Sequence, residues 1–180
     1  MTITVFTPTY NRGHILPKLY ESLKKQTCMN FEWLIIDDGS TDDTSEVVKT
    51  FKTDKFPILY YYKKNGGKHT AMNYSHPYIN GDLLFIVDSD DVLTNDAIET
   101  IAKDWLRFGK DDKIAMLSYT RKQSNGELIS QGKVGEFYID NDINYRVNKN
   151  VTGDRCEVVR SSVFKSFSMP TFEGERFMGE

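Results

Sequence analysis

The chain has 180 residues, 39% of them hydrophobic and 27% charged, which describes one ordinary domain large enough to bury a real core. A formal charge of -3 leaves no basic footprint for nucleic acid, and no run of Lys or Arg marks a membrane-surface patch. No apolar stretch approaches bilayer-spanning length, Met1 runs straight into a strand-like segment so that no secretory leader is expected, and Cys28 and Cys156 offer neither a disulfide framework nor metal-ligand spacing. The expected setting is a reducing, cytoplasmic one.

The first apolar run, residues 3–6, reads as a strand and ends in "TPTYNR" (7–12). Leu16, Leu19, Tyr20 and Leu23 then keep the i, i+3, i+4, i+7 spacing of a helix, with Pro17 tolerated in its first turn. Residues 33–36 form a second strand ending in "DDGSTDDT" (37–44), where Ser40-Thr41-Asp42 signals a helix start and Thr44, Val47, Val48 and Phe51 supply the stripe. The third strand, Ile58–Tyr62, leads into "NGGKHTAMN" (65–73), and the fourth, residues 83–87, stops in Asp88-Ser89-Asp90-Asp91. Thr94-Asn95-Asp96 starts a further helix with Ile98, Ile101, Ala102 and Trp105 on one face, and residues 114–119 make a fifth strand. Strands this short, without strict alternation, suit a sheet covered on both faces. The strand–helix rhythm therefore predicts a three-layer α/β/α sandwich around a mostly parallel, Rossmann-like sheet with right-handed crossovers.

After about Lys122 the pattern changes. "KQSNGELIS" (122–130) reads as a hairpin with Asn125-Gly126 as its tight turn, and residues 135–150 are polar and Asn-rich, as loops are. The last stretch, "TFEGERFMGE" (171–180), has neither a helix ending nor a closing strand, so the chain is expected to stop inside a longer protein.

Open α/β sheets bind ligands outside the carboxyl ends of their strands, and four polar clusters fall there in succession. Each alone has an ordinary reading. Asp38-Gly39-Ser40-Thr41 suits a turn plus helix cap, Gly66-Gly67 a plain loop, and Lys68 a solvated lysine; His69, at a helix start, reads as a surface residue, and His14 and His76 carry no signal. Four at consecutive strand ends point instead to one shared site. Asp88, Asp90 and Asp91 repel one another unless a divalent cation joins them, and oxygen ligands favour Mg or Mn over Zn. Such an ion is usually shared with substrate phosphates. Asp37 and Asp38 suit ribose hydroxyls or a base N–H, Tyr10 offers a stacking face, and Arg12 and Lys68 bring positive charge for a nucleotide.

"TPTYNR", "DDGSTDDT", the Lys-containing Gly loop with Asn73 and "VDSDD", in this order, resemble glycosyltransferase family 2, inverting enzymes of the GT-A fold. The resemblance covers nearly the whole chain. It implies one catalytic domain over residues 1–180, with 1–122 as the nucleotide-sugar part and 123–180 as the acceptor-side part. It implies a nucleotide-sugar donor, most often UDP-linked, with Pro8, Thr9 and Tyr10 by the nucleobase and Asp38 on base or ribose. Lys68, Arg12 and Asn73 fall on the donor side, Asp88 near the ribose, and Asp90 on a Mn2+ or Mg2+ ion with Asp91 close by. A later acidic motif supplies the catalytic base; "EGERFMGE" looks like the run into it, which makes Glu180 the first acid, with Glu173 and Glu175 as the other candidates. Asp154 borders the acceptor side by position alone. The implied acceptor is a glycan or lipid-linked glycan in cell-surface polysaccharide or glycan synthesis, at the cytoplasmic side of a membrane.

Rivals fit less well. A sugar nucleotidyltransferase opens with a Gly-rich phosphate loop where this chain has "TPTYNR" and only the later Gly13, and the G-x-G-x-x-G of a dinucleotide enzyme is absent. "DSDDVLTNDAIE" matches a calcium loop at Asp88, Asp90 and Glu99 but places Val92 and Leu93 at the fifth position and the glycine position. A non-catalytic nucleotide-sugar-binding domain stands as the alternative from another class, and turnover of a nucleotide sugar with Mn2+ separates the two.

Overall fold

The computed structural model describes residues 1–123, 125–129, 139–141, 144 and 153–174. Among the described residues there are six strands: β1 (Ile3–Thr9), β2 (Phe31–Asp37), β3 (Ile58–Tyr62), β4 (Leu83–Ile86), β5 (Met116–Thr120) and β6 (Arg155–Arg160). The α-helices among the described residues are α1 (Leu16–Lys24), α2 (Thr44–Thr50), α3 (Lys68–Ser75), α4 (Ala97–Phe108) and α5 (Ser161–Lys165). The strands form one sheet in the order β3-β2-β1-β4-β6-β5. The first four are parallel and β6 runs antiparallel to β4, so the sheet is mixed but mostly parallel, as the strand–helix rhythm predicts.

Both faces of the parallel part are covered. Alternate side chains of a strand point to opposite faces, and Phe6, Leu34, Ile36 and Leu84 meet Ala71 of α3 and Ile79 on one of them. On the other, Tyr20 of α1 stacks on Trp33 and on Phe51, with ring centroids 6.2 and 4.4 Å apart. Trp33, Phe6, Leu16, Leu19 and Leu23 are fully buried, and each side chain of this kind contributes about 1.5–3 kcal/mol on burial.

By contacts the chain divides into two compact units, Met1–Leu117 with Val158–Glu180, and Ser118–Glu157. Within the second, the expected hairpin forms: Lys122 bridges Leu128 antiparallel, and Gly126 turns the chain at φ 87°. Strand β6 and helix α5 are additions that the sequence pattern does not announce.

Candidate functional site

The order of the strands fixes where a crevice opens. From β1 the chain steps outward to β2 and β3, then crosses back to place β4 on the other side of β1. The connections therefore diverge between β1 and β4, and the carboxyl ends of these two strands frame the switch point at which open α/β sheets bind ligands. Thr9 and Tyr10 leave β1 here, Asp37 and Asp38 leave β2, and Asp88 to Asp91 follow β4. A cavity of about 670 Å³ lies at the other, amino-terminal edge, lined by Met1, Gly81, Asp82 and Trp105 among others, and holds none of the predicted site residues.

The β2 end is held by its own polar shell. Asp37 is fully buried; its carboxylate accepts from the Ser40 amide at 2.7 Å and from the Tyr60 hydroxyl at 2.6 Å. Burial first, and then this carboxylate, push the Tyr60 phenol well above its usual range. Asp38 is buried as well. Its carboxylate accepts from Lys63 Nζ at 2.5 Å, from the amides of Gly66 and Gly67 at 3.0 and 2.7 Å, and from Asn65 Nδ2 at 3.3 Å. It does not cap α2: Asp38 laces the end of β2 to the loop that enters α3. Gly39 makes this approach possible, because it sits at φ 87° and a Cβ there would stand 2.6 Å from the Asn65 amide.

Asn11 performs the matching task after β1. In the left-handed region at φ 53°, its Oδ1 accepts from the amides of Thr41 and Asp42, while its own amide donates to Ser40 Oγ. Asp42 in turn accepts from Thr44 and the Gly13 amide; burial raises its carboxyl, but these hydrogen bonds outweigh that and leave its pKa below the usual value.

Across the switch point, Lys68, the first residue of α3, donates to Asp88 Oδ1 at 2.7 Å. The two side chains are 54% and 39% exposed, so the pair adds little stability; what it provides is a positioned charge beside the acids after β4. Asp90 is exposed and Asp91 half-buried. Among the described residues no three His, Cys, Asp or Glu side chains gather into a complete metal cage. Two neighbouring carboxylates fit an ion that takes the rest of its shell from substrate phosphate and water, as Mg2+ commonly does. Thr9 Oγ1 is buried and finds no partner among the described residues, a cost that folded chains accept where another molecule supplies the bond.

The other expected residues divide. Pro8 is buried within β1, opposite Ile36, while Tyr10 and Arg12 are exposed at the crevice edge. Asn73 stands on α3 with both amide atoms on the Met169 main chain. Asp154 pairs with Arg121 inside the 118–157 unit. Glu175 and Glu180 lie outside the described residues, and Glu173 is exposed. His69 departs from expectation: it is buried, 6% exposed, because the first turn of α3 is pressed onto the sheet. Lys63 carries no motif, and Asn65 opens the Gly-loop cluster without being singled out, yet both hold Asp38. Their signal is the pairing of β2 with β3, which sets Asp37 opposite Tyr62 and so brings residue 38 beside residue 63.

Comparison with known proteins agrees with this fold. A glycosyltransferase of Rickettsia felis, itself uncharacterised, is 37% identical over 137 residues, covering 75% of this chain and 22% of its own length. The crystal structure of S. aureus TarS 1–349 superposes with a TM-score of 0.71 at 27% identity over 92% of this chain and 49% of that one; the same protein in complex with UDP-GlcNAc has the same fold at 22% identity. A mannosyltransferase from Pyrobaculum calidifontis, solved with GDP-Man and Mn2+, shares the fold at TM-score 0.66 and 18% identity. The chain thus spans about a fifth of the length of the curated relatives it matches first. The sequence profile of glycosyl transferase family 2 matches residues 4–167, and with the GT-A-like sheet and its four strand-end clusters in place, the chain belongs to that family.

Proposed function

We propose that the chain binds the donor for an inverting glycosyltransferase that takes a UDP-sugar and passes its hexosyl or N-acetylhexosaminyl group to an acceptor hydroxyl. The observation that carries this reading is the meeting of Lys68 and Asp88 at 2.7 Å over the β1/β4 switch point, with Asp90 and Asp91 immediately after. UDP-GlcNAc in TarS supports a uridine donor, and GDP-Man with Mn2+ in the mannosyltransferase supports a divalent ion beside a nucleoside diphosphate.

Each residue then has a task. The exposed Tyr10 ring stacks on the base, and Thr9 offers its unpartnered hydroxyl beside it. Asp88 reaches toward the ribose. Arg12 and Lys68 lie along the diphosphate, and Lys68 offsets charge that grows on the leaving group. Asp90 and Asp91 would hold Mn2+ or Mg2+, which when bound supplies further positive charge to that diphosphate. On the opposite side of the sugar a carboxylate takes the proton of the acceptor hydroxyl as its oxygen bonds to the anomeric carbon. The bond from that carbon to the diphosphate breaks in the same displacement, so the configuration inverts. The family's motif order assigns this base to Glu180, with Glu173 and Glu175 as neighbours on the same segment. The acceptor in this reading is a glycan or lipid-linked glycan in cell-surface polysaccharide synthesis, on the cytoplasmic face of a membrane; among the described residues no helix is long and apolar enough to cross a membrane.

Calorimetry with UDP tests the reading. The wild-type protein should bind UDP at least about tenfold more tightly with Mn2+ present, a difference of 1.4 kcal/mol. Asp90→Asn should lose that gain and keep its melting temperature, because an exposed strand-end residue packs against little. Unchanged metal-dependent UDP affinity in the variant overturns the assignment, and UDP binding without turnover of any UDP-sugar leaves a nucleotide-sugar-binding module.

A further inference from the structure

Helix α3 makes a second connection that the donor site does not use. Asn73 lies on the helix that Lys68 begins, and its side-chain amide is engaged on both sides. Nδ2 donates to the Met169 carbonyl at 2.9 Å, and Oδ1 accepts from the Met169 amide at 2.7 Å. A side chain here does what a neighbouring strand does in a ladder, pairing both main-chain groups of one residue. The residues so held lie 96 positions away in sequence, in an exposed stretch with neither helix nor strand. Among the described residues, this is the one hydrogen-bonded anchor found for 168–174.

The anchor stands shortly before the acids. Glu173 is four residues past Met169, so it stays within about 14 Å of the anchor even at full extension, whereas Glu180 has a tether of about 40 Å. An exposed chain without such a hold samples many conformations, and a carboxylate on it seldom stands where a proton must be taken. Met169 takes one of the two Nδ2 hydrogens and one of the two Oδ1 lone pairs, so a direct substrate contact by Asn73 would have to use the remaining ones without turning the amide away from Met169.

We propose that Asn73 is a positioning residue for sugar transfer. By clamping Met169 it ties the stretch that carries Glu173 to the same helix that presents Lys68, so that this acid and the lysine beside the leaving diphosphate are held from one element. The proposal rests on the reading above in which an acid of this stretch takes the acceptor's proton across from the donor site. It assigns Asn73 a place in the reaction without contact to the sugar nucleotide.

Two variants remove the clamp from opposite ends. Asn73→Ala deletes the side chain, and Met169→Pro deletes the amide that Asn73 Oδ1 accepts from while leaving Asn73 in place. Hydrogen exchange over residues 167–174 should rise at least about tenfold in each. UDP affinity by calorimetry should stay within threefold or so of wild type, and turnover of UDP-N-acetylglucosamine, read as UDP release, should fall roughly 10- to 100-fold in kcat with KM unchanged. A merely structural role would lower kcat, UDP affinity and melting temperature together. Unchanged exchange in both variants overturns the clamp, and a tenfold loss of UDP affinity in Asn73→Ala alone makes Asn73 a donor contact instead. Wild-type protein that neither binds nor releases UDP removes the donor-site reading, while the exchange result still decides the clamp.

Discussion

An ionised carboxylate with 4% of its residue surface exposed is tolerable only where donors replace the water it lost. Asp38 has such donors in Lys63 Nζ, the Gly66 and Gly67 amides and Asn65 Nδ2. Truncation to alanine would leave two loop amides and a lysine that is itself 13% exposed without their acceptor. Lys63 keeps Thr70 Oγ1 and the Lys64 carbonyl, which limits the damage. Removing one partner of a buried pair costs about 3–5 kcal/mol, and the lower figure applies here. Asp38→Ala should therefore melt about 6–12 °C below wild type by calorimetry, at 2–4 °C per kcal/mol for a chain of this size. Asp38→Asn, which keeps an acceptor oxygen, should fall between the two. UDP affinity should drop with the order of the loop. An alanine variant that loses UDP and keeps its melting temperature would return Asp38 to the ligand.

Helix α4 shows how an element takes its boundary from a neighbour. The sequence offers Thr94-Asn95-Asp96 as its start, yet Asp96 makes no side-chain cap. The first turn is closed by Gln26, beyond the end of α1: its Oε1 accepts from the Ile98 amide at 3.1 Å, and its Nε2 donates to the Thr94 carbonyl at 2.8 Å and to Ser22 at 3.2 Å. Gln26 is buried, so Gln26→Ala strands the Ile98 amide, while the Thr94 carbonyl keeps the Ala97 amide, at a cost of about 2 kcal/mol. Its melting temperature should fall by about 4–8 °C, while Asp96→Ala should stay near wild type. Equal losses would show that the local cap matters after all. The same contrast explains what was legible in the sequence. Strands β1, β2 and β4 are apolar runs buried on both faces, β3 is a half-buried apolar run at the sheet edge, and α1 and α4 carry apolar stripes, so local pattern is enough to find them. Strand β6 has only Val158 and Val159 between Glu157 and Arg160, and its place beside β4 depends on sheet order, which no local pattern encodes. Helix α3 has no stripe. The strand-end clusters were visible because charge at the end of a core strand is unusual, but the partners of Asp38 and Asn73 lie 25 and 96 residues away and follow only from the fold.

At the scale of the whole molecule, stability against pH depends on groups that fold into less favourable surroundings for charge. His76 opens the single 3-10 turn between α3 and β4, with its ring edge on Phe164 of α5 at 5.2 Å. Burial, and then the positive charge of Lys165, hold its imidazole below the usual 6.5. Lys165 is fixed there by donating to the Ile79 carbonyl at 2.7 Å, so it does not swing clear. The direction of the effect follows from proton counting. As pH falls past 6.5 the unfolded chain takes up a proton at this residue, while the folded chain does so only at lower pH. The unfolded state therefore binds more protons in that window, and acidification weakens the fold there; above 6.5 the contribution is fully present. Carboxylates titrating at lower pH act equally on a variant that lacks only this imidazole. The difference between wild type and His76→Gln thus isolates the histidine. Melting temperatures taken at about pH 7.5 and about pH 5.5 should show the wild type losing more than the variant on acidification, with UDP affinity at the higher pH the same in both. Parallel losses in the two proteins would mean that His76 titrates in the folded chain as it does in the unfolded one, and that the packing against Phe164 and Lys165 leaves its proton unaffected.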